Sequence, residues 1–375
     1  MPATASTFAF HGHTIVPGFI DLHVHGVAGV DVHDDAQAVE RVATALPRFG
    51  VTAFAPTTVA CSPAALTRVL DQVRQLRSTP ASLAARVLPA HLESNFISQD
   101  YAGAQPRSCL RVWPRSPAPA GASGGGHFTA TALLEVIEGY ASDVGIVTLA
   151  PELDGALDLI AWLCTLGIRV SLGHSGATYA EAVAAIDAGA THATHLFNRM
   201  PPLHHREPGL AGAVLERDEV MVELICDGVH VYPAVARLVI AAKHPSHVMA
   251  ISDGTAAAGL PPGSTGRLGG QTITSADGCA RLDDGTMAGS ALTMDAAFRM
   301  LTGAFGVSMV DAAIMCATTP ARALGLTTQG VLAVGAAADL VVLDGDGIVV
   351  QTYVGGRLVY SRAALALNSD TEPAV

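Results

Sequence analysis

The chain has 375 residues, of which 33 are acidic and 21 are basic, so its formal net charge at pH 7 is −12. Half of the residues are hydrophobic and 14% are charged. This composition excludes an intrinsically disordered chain, which needs low hydrophobicity and dense charge. The acidic balance argues against a nucleic-acid-binding protein, which needs a basic surface. The length suits two or three domains, although one (β/α)8 barrel takes about 250 residues by itself.

Neither a membrane span nor a secretion signal is predicted. The sequence contains no uninterrupted apolar run of about 18 residues, and its first residues lack the basic and apolar regions of a signal peptide. The six cysteines are scattered and form no CxxC pair, which is typical of reduced thiols. We therefore predict a cytoplasmic protein that has neither a membrane nor a nucleic acid as partner.

From residue 15 onward, short β-rich runs alternate with helical patterns. The predicted strands cover 15–22, 51–59, 86–92, 144–150, 168–173, 191–196, 220–226 and 246–252. The helices predicted between them cover 36–47, 62–77, 129–141, 154–166, 178–188 and 232–243. Such alternation favours a parallel sheet with right-handed crossovers. Eight strands favour a closed (β/α)8 barrel, and a doubly wound open sheet is the alternative.

The pattern changes after the eighth predicted strand. Residues 263–289 are glycine-rich with short polar strands, and two helices are predicted near 291–304 and 308–324. Further strands are predicted at 338–343, 348–354 and 357–360. The stretch 114–126 has low complexity and is predicted to be a mobile loop, with a lid over the barrel mouth as one interpretation.

These elements predict an α/β chain with a barrel and a small β-sandwich-like subdomain. The predicted division is a short N-terminal segment of the subdomain at 1–14, the barrel at 15–325, the C-terminal strands of the subdomain at 326–365, and a tail at 366–375.

Histidines and carboxylates cluster where the predicted strands end. In chain order they are His23 and His25, Glu93, His174, His195, His230 and Asp253. The carboxyl ends of barrel strands open into one mouth, so these side chains are expected to meet there. Alternation along a strand lets both imidazoles of the His23-Val24-His25 triplet point inward. Such ligands suit zinc, iron or a similar divalent ion, and a carboxylate beside the ion suits metal-assisted hydrolysis.

Longer motifs extend from about residue 16 to residue 360. They read PGFIDLHVHG, APTT, HLE, APE, LGHSGATY, THLFNRM, HHREPGLAGA, DGVHV, ISDG, AGS and TTPARALGL. In this order they resemble the amidohydrolase superfamily. Within it they resemble the deacetylases of N-acetylglucosamine 6-phosphate and N-acetylgalactosamine 6-phosphate. The HxH motif alone fits many amidohydrolases, whereas THLFN together with REPG and DGVHV is much narrower.

The resemblance implies a role for each matching residue. The implied metal ligands are Glu93, His174 and His195, with His23 and His25 holding a second ion that Glu93 bridges. The other implied roles are catalysis by Asp253, phosphate binding by Asn198 and Arg206, and substrate binding by His230 across the interface of a homodimer. The implied cofactor is one or two divalent ions, zinc before iron. The implied reaction hydrolyses the acetamide of an N-acetyl amino-sugar 6-phosphate to the free amine and acetate.

The sequence departs from the family pattern in the loop after the third strand. Ser94-Asn95-Phe96 stands where Gly-Pro-Phe is common, and Gln105 stands where a histidine often polarises the substrate carbonyl. Glutamine can donate a hydrogen bond but carries no positive charge, so Gln105 is a candidate substrate-binding residue whose oxyanion role is open. His127 is a candidate to compensate for the missing histidine.

The chain contains a single lysine, Lys243, which lies in the predicted helix before the eighth strand. Another branch of the superfamily bridges two metals with a carbamylated lysine at the end of the fourth strand. Here that strand ends in Ala150-Pro151-Glu152, so a lysine bridge is disfavoured and Glu93 is the candidate bridge. The galacto epimer, another N-acyl substrate and a non-catalytic scaffold stay as alternatives, the scaffold being least favoured because the ligand set is retained.

Overall fold

The structure, a computed structural model, describes residues 10–113 and 128–363. Its strands are β1 (Thr14–Pro17), β2 (Phe19–Val24), β3 (Gly26–Val27), β4 (Val30–Asp31), β5 (Val51–Thr58), β6 (Arg86–Val87), β7 (Ala90–Glu93), β8 (Val144–Leu149), β9 (Arg169–Leu172), β10 (His192–Ala193), β11 (Met221–Ile225), β12 (Val248–Ile251), β13 (Thr265–Leu268), β14 (Gln271–Ala276), β15 (Cys279–Arg281), β16 (Met287–Ser290), β17 (Leu340–Leu343), β18 (Val349–Val354) and β19 (Arg357–Ser361). The predicted loop 114–126 and His127 lie outside the described residues.

Helices alternate with these strands. They are α1 (Ala38–Ala45), α2 (Pro63–Ser78), α3 (Ala130–Gly139), α4 (Ala156–Thr165), α5 (Tyr179–Asp187), α6 (Gly209–Glu216), α7 (Pro233–Lys243), α8 (Met294–Thr302), α9 (Met309–Ala313) and α10 (Thr319–Ala323). A π-helical turn, Ile314–Thr318, joins α9 to α10. Within the described ranges, no helix is both long and apolar enough to cross a membrane.

Eight parallel strands form the predicted barrel. Their order is β2-β5-β7-β8-β9-β10-β11-β12. Val24 at the end of β2 pairs with Gly254 after β12, which brings the first and last strands together. All eight residues of β5 are buried, as expected for a parallel strand covered on both faces. The (β/α)8 barrel is therefore confirmed.

Capping residues determine where several helices begin. Ser62 caps α2 by accepting a hydrogen bond from the backbone N–H of Ala65, and Pro63 occupies the first helical position. Thr178 and Glu181 form a reciprocal capping box at the start of α5. These helices then turn their apolar faces onto the barrel, as the buried Val69 and Val73 of α2 illustrate.

The strand predicted at 15–22 is wrong as a single element. It divides into β1, which pairs antiparallel with β17, and β2, which enters the barrel. Gly18 stands at the break, where an added Cβ would lie 2.2 Å from Oγ1 of Thr52. Apolar residues occur on both sides of Gly18, so the pattern could not reveal that the two strands belong to different sheets. Helix α6 was also not predicted.

A two-stranded antiparallel sheet, β3-β4, and two four-stranded ones accompany the barrel. One has the order β1-β17-β18-β19 and contains the predicted C-terminal strands, while the division of the chain into domains stays a prediction. The other, β13-β14-β15-β16, is formed by the glycine-rich stretch after the eighth barrel strand. Ser290 at the end of β16 bridges to Gly254, which places this sheet at the barrel mouth.

Candidate metal centre and active site

The carboxyl ends of the barrel strands bring six predicted side chains together. They are His23 and His25 at the end of β2, Glu93 at the end of β7, His174 after β9, His195 after β10 and Asp253 after β12. None is more than 6% exposed. Left-handed backbone occurs at His174 (φ 49°), His195 (φ 27°) and Asp253 (φ 47°). Non-glycine residues adopt such φ values at a cost, and they concentrate at functional sites.

Glu93 lies at the centre of the first group of candidate ligands. Its Oε1 is 2.8 Å from Nε2 of His174 and 2.8 Å from Nε2 of His195, and the two nitrogens are 3.1 Å apart. Its Oε2 is 3.3 Å from Nε2 of His25 and accepts a short hydrogen bond from Gln105. Glu93 therefore reaches both groups of imidazoles, as the predicted bridge requires.

The second group consists of His23, His25 and Asp253. The two Nε2 atoms lie 3.3 Å apart, and Oδ1 of Asp253 is 3.5 Å from the first and 3.4 Å from the second. Gly289 packs closely against Asp253, because a Cβ there would lie 3.0 Å from its backbone carbonyl oxygen and 3.4 Å from Oδ1. Asp253 is thus held against the imidazole pair.

The hydrogen bonds of the histidine rings indicate whether the two groups of candidate ligands could bind a cation. Nδ1 of His174 donates to the carbonyl oxygen of Tyr101 (2.8 Å), and Nδ1 of His25 donates to that of Thr57 (3.1 Å). In the neutral ring, each Nε2 then presents a lone pair to carboxylate oxygens that also carry lone pairs. Such an arrangement of acceptors is favourable only with a proton or a metal ion between them, so the donor set fits a divalent metal.

The electrostatics of the second group support the same conclusion. Burial lowers the pKa of His23 and of His25, but the surrounding carboxylates outweigh it and raise these values to about 9 and about 10. Burial raises the pKa of Glu93, yet the neighbouring imidazoles, His174 first, hold it well below its usual range. The site therefore stabilises positive charge among the ionised carboxylates.

Glu223 is a residue of this site that the sequence reasoning missed. It lies on β11 with no exposed surface, and its Oε2 accepts hydrogen bonds from Nδ1 of His23 (2.9 Å) and from the backbone N–H of His195 (3.3 Å). A carboxylate behind a ligating histidine fixes the tautomer and orientation of the ring. In the sequence, Glu223 could have been noticed as a single charged residue within the apolar run VMVELIC.

A cavity of about 600 Å³ opens above the metal-ligand groups. Its lining includes Gln105, Asn198 and His230, whose predicted role is substrate binding, and Asp253, whose predicted role is catalysis. His230 lines the cavity of its own chain, and its Nδ1 donates a hydrogen bond to Oδ2 of Asp227 at 2.6 Å; its Nε2 has no hydrogen-bond partner among the described residues. Arg206 does not line this cavity; it is exposed, with Nη1 2.8 Å from Nε2 of His205.

Comparison with known proteins identifies the family. The model of the amidohydrolase family matches residues 14–359. The chain belongs to the amidohydrolase family. Members of this family are hydrolytic enzymes that act with bound metal, and the ligand groups described above fit that chemistry.

Within the amidohydrolase family, similar proteins include amino-sugar phosphate deacetylases. The N-acetylglucosamine-6-phosphate deacetylase of Bacillus subtilis (strain 168) is 35% identical over 354 residues, which cover 92% of this chain and 84% of that protein. The N-acetylgalactosamine-6-phosphate deacetylase of Escherichia coli O157:H7 is 35% identical over 359 residues, covering 95% and 90%.

A solved structure extends the comparison. A variant of the N-acetyl-D-glucosamine-6-phosphate deacetylase from Mycobacterium smegmatis, in complex with N-acetyl-D-glucosamine 6-phosphate, superposes with a TM-score of 0.82. The two chains are 36% identical, and the match covers 93% of this chain and 87% of that one. The resemblance inferred from the motifs is confirmed.

Some amidohydrolases use a lysine carbamate, and the position of Lys243 argues against one here. This lysine lies at the end of α7, and its Nζ donates to the carbonyl oxygens of Val214 (3.2 Å) and Arg217 (2.6 Å). Those carbonyls belong to the last turn of α6 and the residue after it. The buried ammonium therefore satisfies a helix end on the outside of the barrel.

Proposed function

We propose that this amidohydrolase removes the acetyl group from N-acetylglucosamine 6-phosphate, releasing acetate and glucosamine 6-phosphate. The observation that carries the proposal is the placement of Asp253 against His23 and His25, next to the group formed by Glu93, His174 and His195, in the wall of the cavity. A metal-dependent hydrolase needs such a carboxylate beside its ion. The N-acetylglucosamine-6-phosphate deacetylases of other organisms, at 33–38% identity over most of the chain, support this choice of substrate.

A bound divalent ion lowers the pKa of a water molecule and polarises a carbonyl oxygen. Asp253 accepts the proton of the attacking water as oxygen bonds to the acetyl carbon. It then delivers that proton to the sugar nitrogen as the C–N bond breaks. Gln105, whose Oε1 accepts the backbone N–H of Ala60, turns its amide N–H toward the ligand groups.

We propose Glu93, His174 and His195 as ligands of one ion and His23 and His25 as ligands of a second, with zinc as the metal. Imidazole and carboxylate donors suit zinc and also iron. Asn198 and Arg206 would contact the phosphate, and His230 and Gln105 would contact the rest of the substrate. The resemblance places His230 at the interface of a homodimer, and the homodimer is part of this proposal. A cytoplasmic enzyme fits a phosphorylated sugar as substrate.

The test compares acetate release from four compounds by the metal-loaded protein. These are N-acetylglucosamine 6-phosphate, N-acetylgalactosamine 6-phosphate, N-acetylglucosamine and an N-acetyl amino acid. We expect the first to have the highest kcat/KM. A preference for the second would favour the activity that the similar Escherichia coli protein is named for. Turnover of the amino acid alone would contradict the proposal.

A further inference from the structure

Gln105 is a buried residue whose amide group contacts two different parts of the site. Its Oε1 accepts the backbone N–H of Ala60 at 2.7 Å, and its Nε2 donates a hydrogen bond to Oε2 of Glu93. Only 6% of Gln105 and 3% of Glu93 is exposed to solvent. A backbone N–H can only donate, so the amide oxygen must face Ala60 and the NH2 group must face Glu93. The surroundings therefore fix the orientation of this amide.

The contact with Gln105 differs in kind from the other contacts of the Glu93 carboxylate. Those contacts are made by the Nε2 atoms of imidazoles, including His174, His195 and His25. A neutral imidazole can present a lone pair there, whereas an amide NH2 group always donates. Among the described side chains that contact this carboxylate, Gln105 is thus the one whose donor role does not depend on protonation.

The position of Oε2 matters because Glu93 is the proposed bridge between two ions. Oε1 lies 2.8 Å from Nε2 of both His174 and His195, whereas Oε2 lies 3.3 Å from Nε2 of His25. Rotation about the last side-chain bond of Glu93 would move Oε2 away from His25. The preferences of this torsion are broad, so contacts with neighbouring groups have to restrict it. The hydrogen bond from Gln105 is such a contact.

The loop that carries Gln105 is anchored next to Ala60. Asn95, the second residue after β7, donates from Nδ2 to the carbonyl oxygens of Cys61 (2.8 Å) and Cys109 (2.7 Å). A small buried apolar cluster joins the same segments and consists of Ala60, Ile97, Ala102 and Leu110. Asn95 and Gln105, which both depart from the common family pattern, therefore bind one short segment after β5.

We infer that Gln105 is a positioning residue of the metal centre: its amide, fixed by Ala60, holds Oε2 of Glu93 toward His25, so that the carboxylate spans both groups of ligands. Partners of this kind orient a metal ligand from outside the coordination sphere. This inference rests on the proposed function, because it concerns the ligand proposed to bridge the ions. The substrate contact proposed above would use the other N–H of the same amide.

The test measures the zinc affinity of the full-length protein by competition with a chelator, which requires no assay of activity. Gln105→Met keeps the length of the side chain and removes the donor, and Gln105→Leu is a second variant without the donor. The midpoint of thermal unfolding reports whether each variant is folded.

Two matched variants are the controls. Gln72→Met replaces another buried glutamine, whose Oε1 accepts the backbone N–H of Val39 and whose Nε2 donates to two backbone carbonyl oxygens. This amide joins α1 to α2, outside the metal-ligand groups. Asn95→Leu removes the two bonds that anchor the loop of Gln105 and keeps the donor to Glu93. The second control separates the order of the loop from the hydrogen bond itself.

We expect Gln105→Met and Gln105→Leu to lower the affinity for at least one bound zinc ion about 10-fold to 100-fold, the usual effect of losing a partner of a metal ligand. Gln72→Met and Asn95→Leu lower the midpoint of thermal unfolding and leave the zinc affinity unchanged. The visible absorption spectrum of the cobalt-loaded protein, which reports the geometry around the ion, changes in the Gln105 variants and stays as in the wild type in the controls.

Two results overturn the inference. One is wild-type affinity for every bound zinc ion in the folded Gln105 variants. The other is an equal loss of affinity in either control, which would assign the effect to general packing or to the order of the loop. In both cases a wild type that binds zinc and releases acetate from N-acetylglucosamine 6-phosphate still supports the proposed function. A wild type that binds no zinc would refute the proposed function, and with it the metal centre that Gln105 positions.

Discussion

Nδ1 of His23 donates a hydrogen bond to Oε2 of Glu223 across 2.9 Å, and neither side chain has surface exposed to solvent. This bond leaves Nε2 of His23 with its lone pair facing Glu93 and Asp253. The same carboxylate oxygen accepts the backbone N–H of His195. Glu223 thus connects the two groups of candidate metal ligands from beneath.

Glu223→Gln is expected to weaken metal binding while preserving the shape of the side chain. Loss of a carboxylate behind a ligating histidine typically lowers metal affinity by about 10-fold to 100-fold. Competition with a chelator measures that affinity independently of activity. Asp143→Asn is the control, because Asp143 is also a buried carboxylate but pairs with Arg74 and Arg77 of α2, outside the barrel. Unchanged affinity in Glu223→Gln would refute the orienting role.

Asp253→Asn is expected to separate binding from chemistry. Asparagine can occupy the same space but cannot accept the proton of the attacking water, so kcat falls by about 10²-fold to 10⁴-fold. Metal content and KM stay close to wild type, because the five proposed metal ligands are unchanged. Steady-state kinetics and metal analysis measure these quantities. A kcat within a few-fold of wild type would remove Asp253 from the mechanism.

Lys243→Met is expected to reduce stability without affecting the metal. The substitution leaves the carbonyl oxygens of Val214 and Arg217 without the ammonium that now binds them. We expect a loss of about 1–3 kcal/mol in the free energy of unfolding. Urea unfolding measures the stability, and metal analysis measures the ion content. A fall in metal content without a fall in stability would mean that the lysine serves the metal centre after all.

Acid sensitivity is expected to depend partly on His192. This histidine is buried at the start of β10, and burial, only partly opposed by Glu223, lowers its pKa from 6.5 to about 4. Below pH 6.5 the unfolded chain binds a proton here that the folded chain does not. The free energy of unfolding therefore decreases as the pH falls from 6.5 toward 4.

His192→Asn removes this titration. Between pH 7.5 and pH 5, the loss of unfolding free energy is expected to be about 2 kcal/mol smaller in the variant than in the wild type, at about 1.4 kcal/mol per pH unit below 6.5. Urea unfolding at both pH values, with equal metal loading, measures the difference. Identical pH dependence in the two proteins would show that His192 protonates equally in both states.

The sequence predicted the ligand set because of a topological rule. In a barrel the strand ends converge, so His174 and His195 could be grouped with Glu93 although they are far apart in the chain. Glu223 could not be found this way, because it lies within a buried strand and its partner, His23, is 200 positions away. Its role depends on side-chain distances that no spacing rule supplies.

The same limit applies to the arginines and to the first strand. Arg206 was chosen for its motif, whereas the arginines that line the cavity, Arg199 and Arg281, come from a short turn and from a small antiparallel sheet. The sequence pattern also joined β1 to β2, because a run of apolar residues does not reveal which sheet each strand enters. Which arginines line the cavity and which sheet each strand enters both depend on contacts between residues that are distant in sequence.

The most direct test of the account is metal reconstitution with a single substrate. Wild-type protein is stripped with a chelator, titrated with zinc, and assayed for acetate release from N-acetylglucosamine 6-phosphate. The account predicts no turnover in the stripped protein and full recovery as one to two ions bind per chain. Acetate release that is unchanged in the metal-free protein, or none after the ions are bound, would contradict it.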